Sequence, residues 1–190
     1  MKLDPLKTAV LALDMQEGIL GFVPGAEAAV PAAARALEAA RKAGALVVHV
    51  GLGFEPGWPE IGSRKTRFSM IKERGLFVKG SDSARFHPSL FKPGETVVYK
   101  QRVGAFSENS LRMILRAKEI ENLVLFGIAT SGIVLSTLRA ASDLDFQCAV
   151  VKDACFDADA EVHRVLTEKV FAAQAAVMAA DELAAAFARG

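Results

Sequence analysis

The chain has 190 residues, 52% of them apolar, and its 23 Lys and Arg against 22 Asp and Glu leave a formal net charge of +1. That length and apolar content suit one globular domain over 1–190 with a sizeable core, and the charge balance supplies no global field for nucleic acid or an acidic membrane. Cys148 and Cys155 are too few for a disulfide framework and fall in no Cys-x-x-Cys or Cys/His metal pattern. No apolar run approaches the ~20 residues that span a bilayer, and the N-terminus is not signal-like, so the expected setting is the reducing cytoplasm.

In chain order, apolar strand-like runs alternate with helical stretches, the pattern of a parallel sheet with helices on both faces. Strands are predicted at 8–13, 45–50, 96–100, 122–126 and 147–151, with a weaker sixth at 175–178. The first helix has Pro31 suited to its first turn, an Ala-rich body and Gly44 placed to end it. Further helices are predicted over 109–117, 131–144, 159–171 and 181–187. The long connection 51–93 breaks this regularity, with a short helix expected over 69–75; connections of this length often cover a site or meet a neighbouring subunit. Its aromatic residues, among them Phe54, Trp58, Phe68 and Phe77, argue for packing against something else or for anchoring the loop to its own domain. Its basic cluster, Arg64-Lys65-Thr66-Arg67 with Lys72 and Arg74, reads first as a solvated loop face, with an anionic substrate or a partner chain as the alternatives.

In open α/β sheets ligands bind beyond the carboxyl ends of the strands, near the point where strand order reverses. Strand one runs through Val10-Leu11-Ala12-Leu13 into Asp14, Met15 and Gln16, and strand three ends Val97-Val98-Tyr99-Lys100. Strand four passes into Gly127-Ile128-Ala129-Thr130-Ser131-Gly132-Ile133-Val134, whose small residues permit a sharp turn and aim the first helical amides above the sheet. A carboxylate and an ammonium converging at such a rim hold each other charged, move a proton and stabilise developing negative charge. Singly, Asp14 and Lys100 read as ordinary strand-end charges; the three strand ends together take a functional reading because of what the combination resembles. His49, His87 and His163 form no paired ligand spacing, and 51–57 lacks the last glycine spacing and the following helix of a dinucleotide fingerprint. No catalytic metal and no cofactor are expected.

These strand ends, in this order, resemble the isochorismatase-like hydrolase superfamily, the group that includes nicotinamidases, N-carbamoylsarcosine amidases and isochorismatases. The resemblance covers nearly the whole chain. Its marks are Ala9-Val10-Leu11-Ala12-Leu13-Asp14-Met15-Gln16, Val98-Tyr99-Lys100 with Gly104-Ala105-Phe106, the Gly127-Ile128-Ala129-Thr130 turn, Asp153-Ala154-Cys155 and Glu161-Val162-His163. It implies a three-layer α/β/α Rossmann-like fold with a six-stranded parallel sheet of order 3-2-1-4-5-6. It also implies a small-molecule substrate, a homodimer or higher homo-oligomer, and often a cis peptide from Ile128 to Ala129. The family's triad is Asp, Lys and Cys. Asp14 matches the Asp and Lys100 the Lys, but the nucleophile's position, six residues after the glycine of the turn, holds Ile133. The implied order sets strand three two spacings from strand one, roughly 10 Å at about 4.8 Å each, so Lys100 has to reach inward.

Ile133 has neither a lone pair nor an acidic proton, which closes the thiolate route to amide hydrolysis there. Cys148 reads as a small buried residue of strand five, and Cys155, past its end, is at most a displaced nucleophile. True isochorismatases imply a way round this, since their aspartate acts as an acid while water supplies the oxygen. Asp14 is then the expected general acid/base, Lys100 its electrostatic partner, Gln16 a ligand-orienting amide, and the amides near Gly132 and Ile133 an oxyanion site. Phe54, Trp58, Phe106, Ala129 and Thr130 join Gln16 and Gly132 as expected substrate-binding surroundings. The alternative is a family member without catalysis that binds a small molecule or serves as an assembly subunit.

Overall fold

The six apolar runs pair as the parallel strands of one sheet: β1 (Thr8–Leu13), β2 (Leu46–Leu52), β3 (Thr96–Lys100), β4 (Asn122–Gly127), β5 (Gln147–Val151) and β6 (Ala175–Met178). Their order is β3-β2-β1-β4-β5-β6, in a computed structural model that describes residues 1–188. Every residue of β1 is buried between β2 and β4, so its sequence is continuously apolar instead of alternating. The helices are α1 (Glu17–Phe22), α2 (Val30–Ala43), α3 (Ser69–Glu73), α4 (Leu111–Ala117), α5 (Leu135–Asp143), α6 (Ala160–Val165) and α7 (Ala180–Ala188). The chain moves one way across the sheet from β1 through α2 to β2, and the other way from β4 through α5 to β5. Right-handed crossovers therefore put α2 and α5 on opposite faces, giving the α/β/α layers implied above.

Local chemistry explains most of the boundaries. Helix α2 carries Pro31 in its first turn and buries Ala32, Ala33, Ala36, Leu37 and Ala40 at helical spacing. It ends at Gly44, whose φ of +80 returns the chain to the sheet. The predicted helix 131–144 instead opens with one wide π turn, Thr130–Val134, before α5. The prediction over 159–171 divides likewise into α6, a wide turn at Leu166–Val170 and a tight turn at Phe171–Ala173. There the Thr167 hydroxyl donates to the carbonyls of His163 at 2.8 Å and Arg164 at 3.3 Å, a local competition that loosens the ladder. Among the described residues, no helix is long and apolar enough to cross a membrane.

The long connection is anchored to its own domain. Phe54 and Phe77 join Leu52, Ile61 and Ile71 in a second apolar cluster, and the Trp58 indole donates to the Leu76 carbonyl at 2.8 Å. A partly buried polar knot ties the end of the connection to α2 and β2. His49 Nε2 stands 2.9 Å from Glu95 Oε2, and Arg41 Nε donates to Glu95 Oε1 at 2.8 Å. Burial raises the Glu95 carboxyl, but the bonds from Arg41, the Lys92 amide and His49 outweigh it and hold the group down at about 2. A depressed carboxylate stabilises the fold above its unfolded value of 4.5 and loses that contribution as pH falls towards about 2. Glu95→Gln is therefore expected to cost about 2 kcal/mol at neutral pH. In urea unfolding the gap to wild type should close as the pH is lowered through that window; a pH-independent gap would contradict the assignment.

Candidate active site

The sheet delivers its polar strand ends to one place. Leu13 pairs with Val50 on one side and Gly127 on the other, so β1 ends where the strand order reverses. Asp14 follows, its N–H donating to Val50 O at 2.7 Å and its φ of +54 lying in the left-handed region that Asp tolerates better than most side chains. Lys100, opposite Leu52 at the end of β3, reaches across β2. Its Nζ donates to Asp14 Oδ2 at 3.0 Å and to the Arg102 carbonyl at 3.0 Å. Lys100 is 1% and Asp14 6% exposed, and Asp14 Oδ1 is buried without a protein partner. Burial pushes the Asp14 carboxyl above its ordinary value, against the opposing pull of the Lys100 ammonium. An ammonium has three donors, so one remains for a ligand.

The pair opens on a cavity of about 350 Å³. Ile128, Ala129, Gly132 and Ile133 form the wall beside β4, and Ile133 is only 2% exposed. Ile19 and Phe22 of α1 face them with Phe68, Ile71, Leu76 and Phe77 of the long connection, while Arg67 and Arg102 add charge. The peptide from Ile128 to Ala129 is cis.

Asp14, Lys100, Ile133, Ala129 and Gly132 thus come together, but the other expected binding residues are placed elsewhere. Gln16 is fully buried as a bracket between loop segments: its Nε2 donates to Leu52 O at 2.8 Å and Ala84 O at 2.7 Å, and its Oε1 accepts from Leu52 N–H at 2.7 Å. Phe54 is fully buried in the second cluster, and Trp58 packs against that cluster. Phe106 stacks on Phe146, with ring centroids 6.1 Å apart. Thr130 shares a 2.9 Å hydrogen bond with His163 Nδ1. None of these five lines the cavity.

The expected oxyanion amides are also partly committed. Thr130 N–H donates to Phe156 O at 2.9 Å, Ser131 N–H to Asp157 Oδ2 at 2.7 Å, and Gly132 N–H to Ala129 O at 3.1 Å. The Gly132 amide is thus occupied within the turn, and the Lys100 ammonium lines the same cavity as a further donor for an oxyanion. Neither cysteine lines the cavity. Burial pushes the Cys148 thiol up to about 11 and the Cys155 thiol to about 12, far from the thiolate a nucleophile needs. The histidines are dispersed: His49 meets Glu95, His87 Nδ1 meets Ser89, and His163 meets Thr130. Among the described residues, no group of three or more His, Cys, Asp or Glu is placed to hold a metal ion.

The sequence reading missed the wall supplied by α1 and one cationic side. A six-residue helix with a single buried residue, Leu20, leaves no periodic signal. Arg102 left none either, since β3 ends at Lys100 and the chain bends over 101–104, where strand periodicity no longer says which way a side chain faces.

Comparison with known proteins agrees with this fold. Residues 8–182 match the isochorismatase domain family. The chain is 35% identical over 178 residues to the ureidoacrylate amidohydrolase RutB of Azorhizobium caulinodans, covering 82% of this chain and 78% of that one. It is 31% identical over 163 residues to the maleamate amidohydrolase of Pseudomonas putida, covering 83% and 76%. An isochorismatase family protein from Burkholderia thailandensis superposes with a TM-score of 0.82 at 28% identity, over 98% of each chain. With that match spanning nearly its whole length and the sheet order to go with it, the chain belongs to the isochorismatase family of hydrolases.

Proposed function

We propose that the chain hydrolyses a small molecule through Asp14 and Lys100, with water in place of a thiol as the nucleophile. The observation that carries this is the buried pair at 3.0 Å, opening on a cavity whose wall at Ile133 has nothing to attack with. A buried ion pair contributes little net stability, so its position at a cavity supports a chemical role. The two curated relatives named above are amidohydrolases, which supports an amide or carbamoyl bond as the one broken.

In this mechanism the free Oδ1 of Asp14 takes a proton from water as the water oxygen bonds to the carbonyl carbon. The carbonyl π pair moves onto its oxygen, where the third Lys100 N–H meets the developing charge. When the tetrahedral adduct collapses, the C–N bond breaks and Asp14 returns the proton to the departing nitrogen. Asp14 must be ionised for the first step, and burial raises its value above 3.8. Turnover is therefore expected to fall with falling pH along a limb displaced upward from an ordinary aspartate.

Ile133 favours a second reading, in which the chain binds a small molecule without turning it over. The two are separated by assaying small amides, carbamoyl compounds, esters and vinyl ethers with wild type, Asp14→Asn and Ile133→Cys in parallel. Turnover by wild type that disappears in Asp14→Asn is the expected result. Activity only in Ile133→Cys would establish the binder instead, with a pocket intact except for its thiol.

A further inference from the structure

The cavity has an electrostatic asymmetry that proton transfer at Asp14 does not use. Its lining includes one carboxylate, Asp14, against three cations, Lys100, Arg67 and Arg102. Lys100 is matched to Asp14. Arg67 and Arg102 pair with no carboxylate among the described residues, as do Arg64, Arg74, Arg112, Arg116 and Arg139, but only Arg67 and Arg102 of these line the cavity. Arg102 is nevertheless held in place. Its Nη1 donates to Gln101 O at 2.7 Å, its Nη2 donates to Glu60 O at 3.3 Å, and its guanidinium carbon lies 5.7 Å from the Phe68 ring centroid. Glu60 thus offers Arg102 its backbone carbonyl, while its carboxylate accepts from Glu55 N–H at 3.1 Å. A guanidinium fixed by carbonyls and an aromatic face keeps further N–H groups for a planar oxyanion. Elsewhere the cavity lining includes the apolar Phe22, Ile71 and Leu76.

We propose that the substrate is a carboxylate with an apolar body, its carboxylate held by Arg102 and Arg67 and its hydrolysable end turned towards Asp14. This rests on the reading of the cavity as the substrate site and adds the chemical class of the substrate. Both arginines are exposed, so the carboxylate they pair with sits at the mouth of the cavity while the apolar body of the substrate enters it. The flanking Arg64, Lys65, Lys72 and Arg74 add an attractive field over the same loop.

Calorimetric binding of trans-cinnamate and its neutral near-isostere trans-cinnamamide tests the assignment on wild type, Asp14→Asn, Arg67→Met and Arg102→Met. Cinnamate is expected to bind on the order of tenfold more tightly than the amide to wild type. That preference should persist in Asp14→Asn, where no turnover intervenes, and shrink several-fold in each arginine variant. Equal binding of the two compounds, an intact preference in Arg67→Met, or no binding of cinnamate at about 10 mM would overturn the inference. Arg67 lies on an exposed loop, so its variant carries the test even if Arg102→Met fails to fold. The outcome is independent of whether wild type turns anything over: a failed hydrolase reading leaves the cinnamate preference in place, and a failed anion reading leaves turnover of neutral amides in place.

Discussion

Asp14→Asn is expected to lower turnover by about 10³-fold, within the range of a lost general acid/base, while the protein stays folded. Asparagine keeps the size of the side chain and an oxygen to accept from Lys100 Nζ, which also retains the Arg102 carbonyl. What disappears is the group that takes a proton from water. The sign of the stability effect points the same way. Burial raises the folded-state value of Asp14, so wild type is stabilised as pH falls from that raised value through 3.8, and the ionised carboxylate is not what holds the fold at neutral pH. Lys100→Met is a poorer test. It leaves a buried carboxylate without its partner, at about 3–5 kcal/mol, and so confounds chemistry with folding. Wild-type kcat in a folded Asp14→Asn protein would remove Asp14 from the mechanism.

Gly127→Ala is expected to be the most damaging small substitution near the site, at about 3–5 kcal/mol in urea unfolding. A Cβ there would lie 1.9 Å from Leu13 O and 2.8 Å from Leu13 C, at a φ of +146 that side chains rarely adopt. The obstacle is backbone, and it cannot move aside cheaply, because Ile128 N–H already donates to that Leu13 oxygen at 3.2 Å. Leu13 directly precedes Asp14, so any shift that relieves the clash moves the carboxylate as well. A loss below about 1 kcal/mol would mean that the two strand ends are not as close as described.

The sheet was legible in the sequence because burial on both faces writes itself as continuous apolar runs, as in Ala9-Val10-Leu11-Ala12-Leu13 and Leu123-Val124-Leu125-Phe126. Asp14 and Lys100 were legible because each is a charge placed directly at the end of such a run. Loop residues were harder. Gln16, Phe54 and Trp58 have the right types for ligand contact, but side-chain type alone cannot tell a bracket for the loop from a contact for a substrate. Gln16 spends both ends of its amide on backbone groups of Leu52 and Ala84, which adjoin it only after folding. Arg67 is exposed, as the reading of its cluster as a solvated loop face expects, and it also borders the cavity, which the sequence left only as an alternative. The Gly132 amide followed neither pattern. Its donation to Ala129 is a tight i to i−3 bond at the start of the turn, beside the wide i to i−5 bond from Val134 N–H to the same oxygen, and no spacing in the sequence announces that.

The most direct test of thiol-free hydrolysis is turnover by Cys148→Ala/Cys155→Ala, assayed beside wild type on whichever amide or carbamoyl compound wild type converts. Both cysteines are buried, and alanine is a small apolar replacement in each place. Turnover equal to that of wild type is the expected result. Loss of turnover in a folded double variant would show that one of the two thiols is the nucleophile after all and would contradict the account.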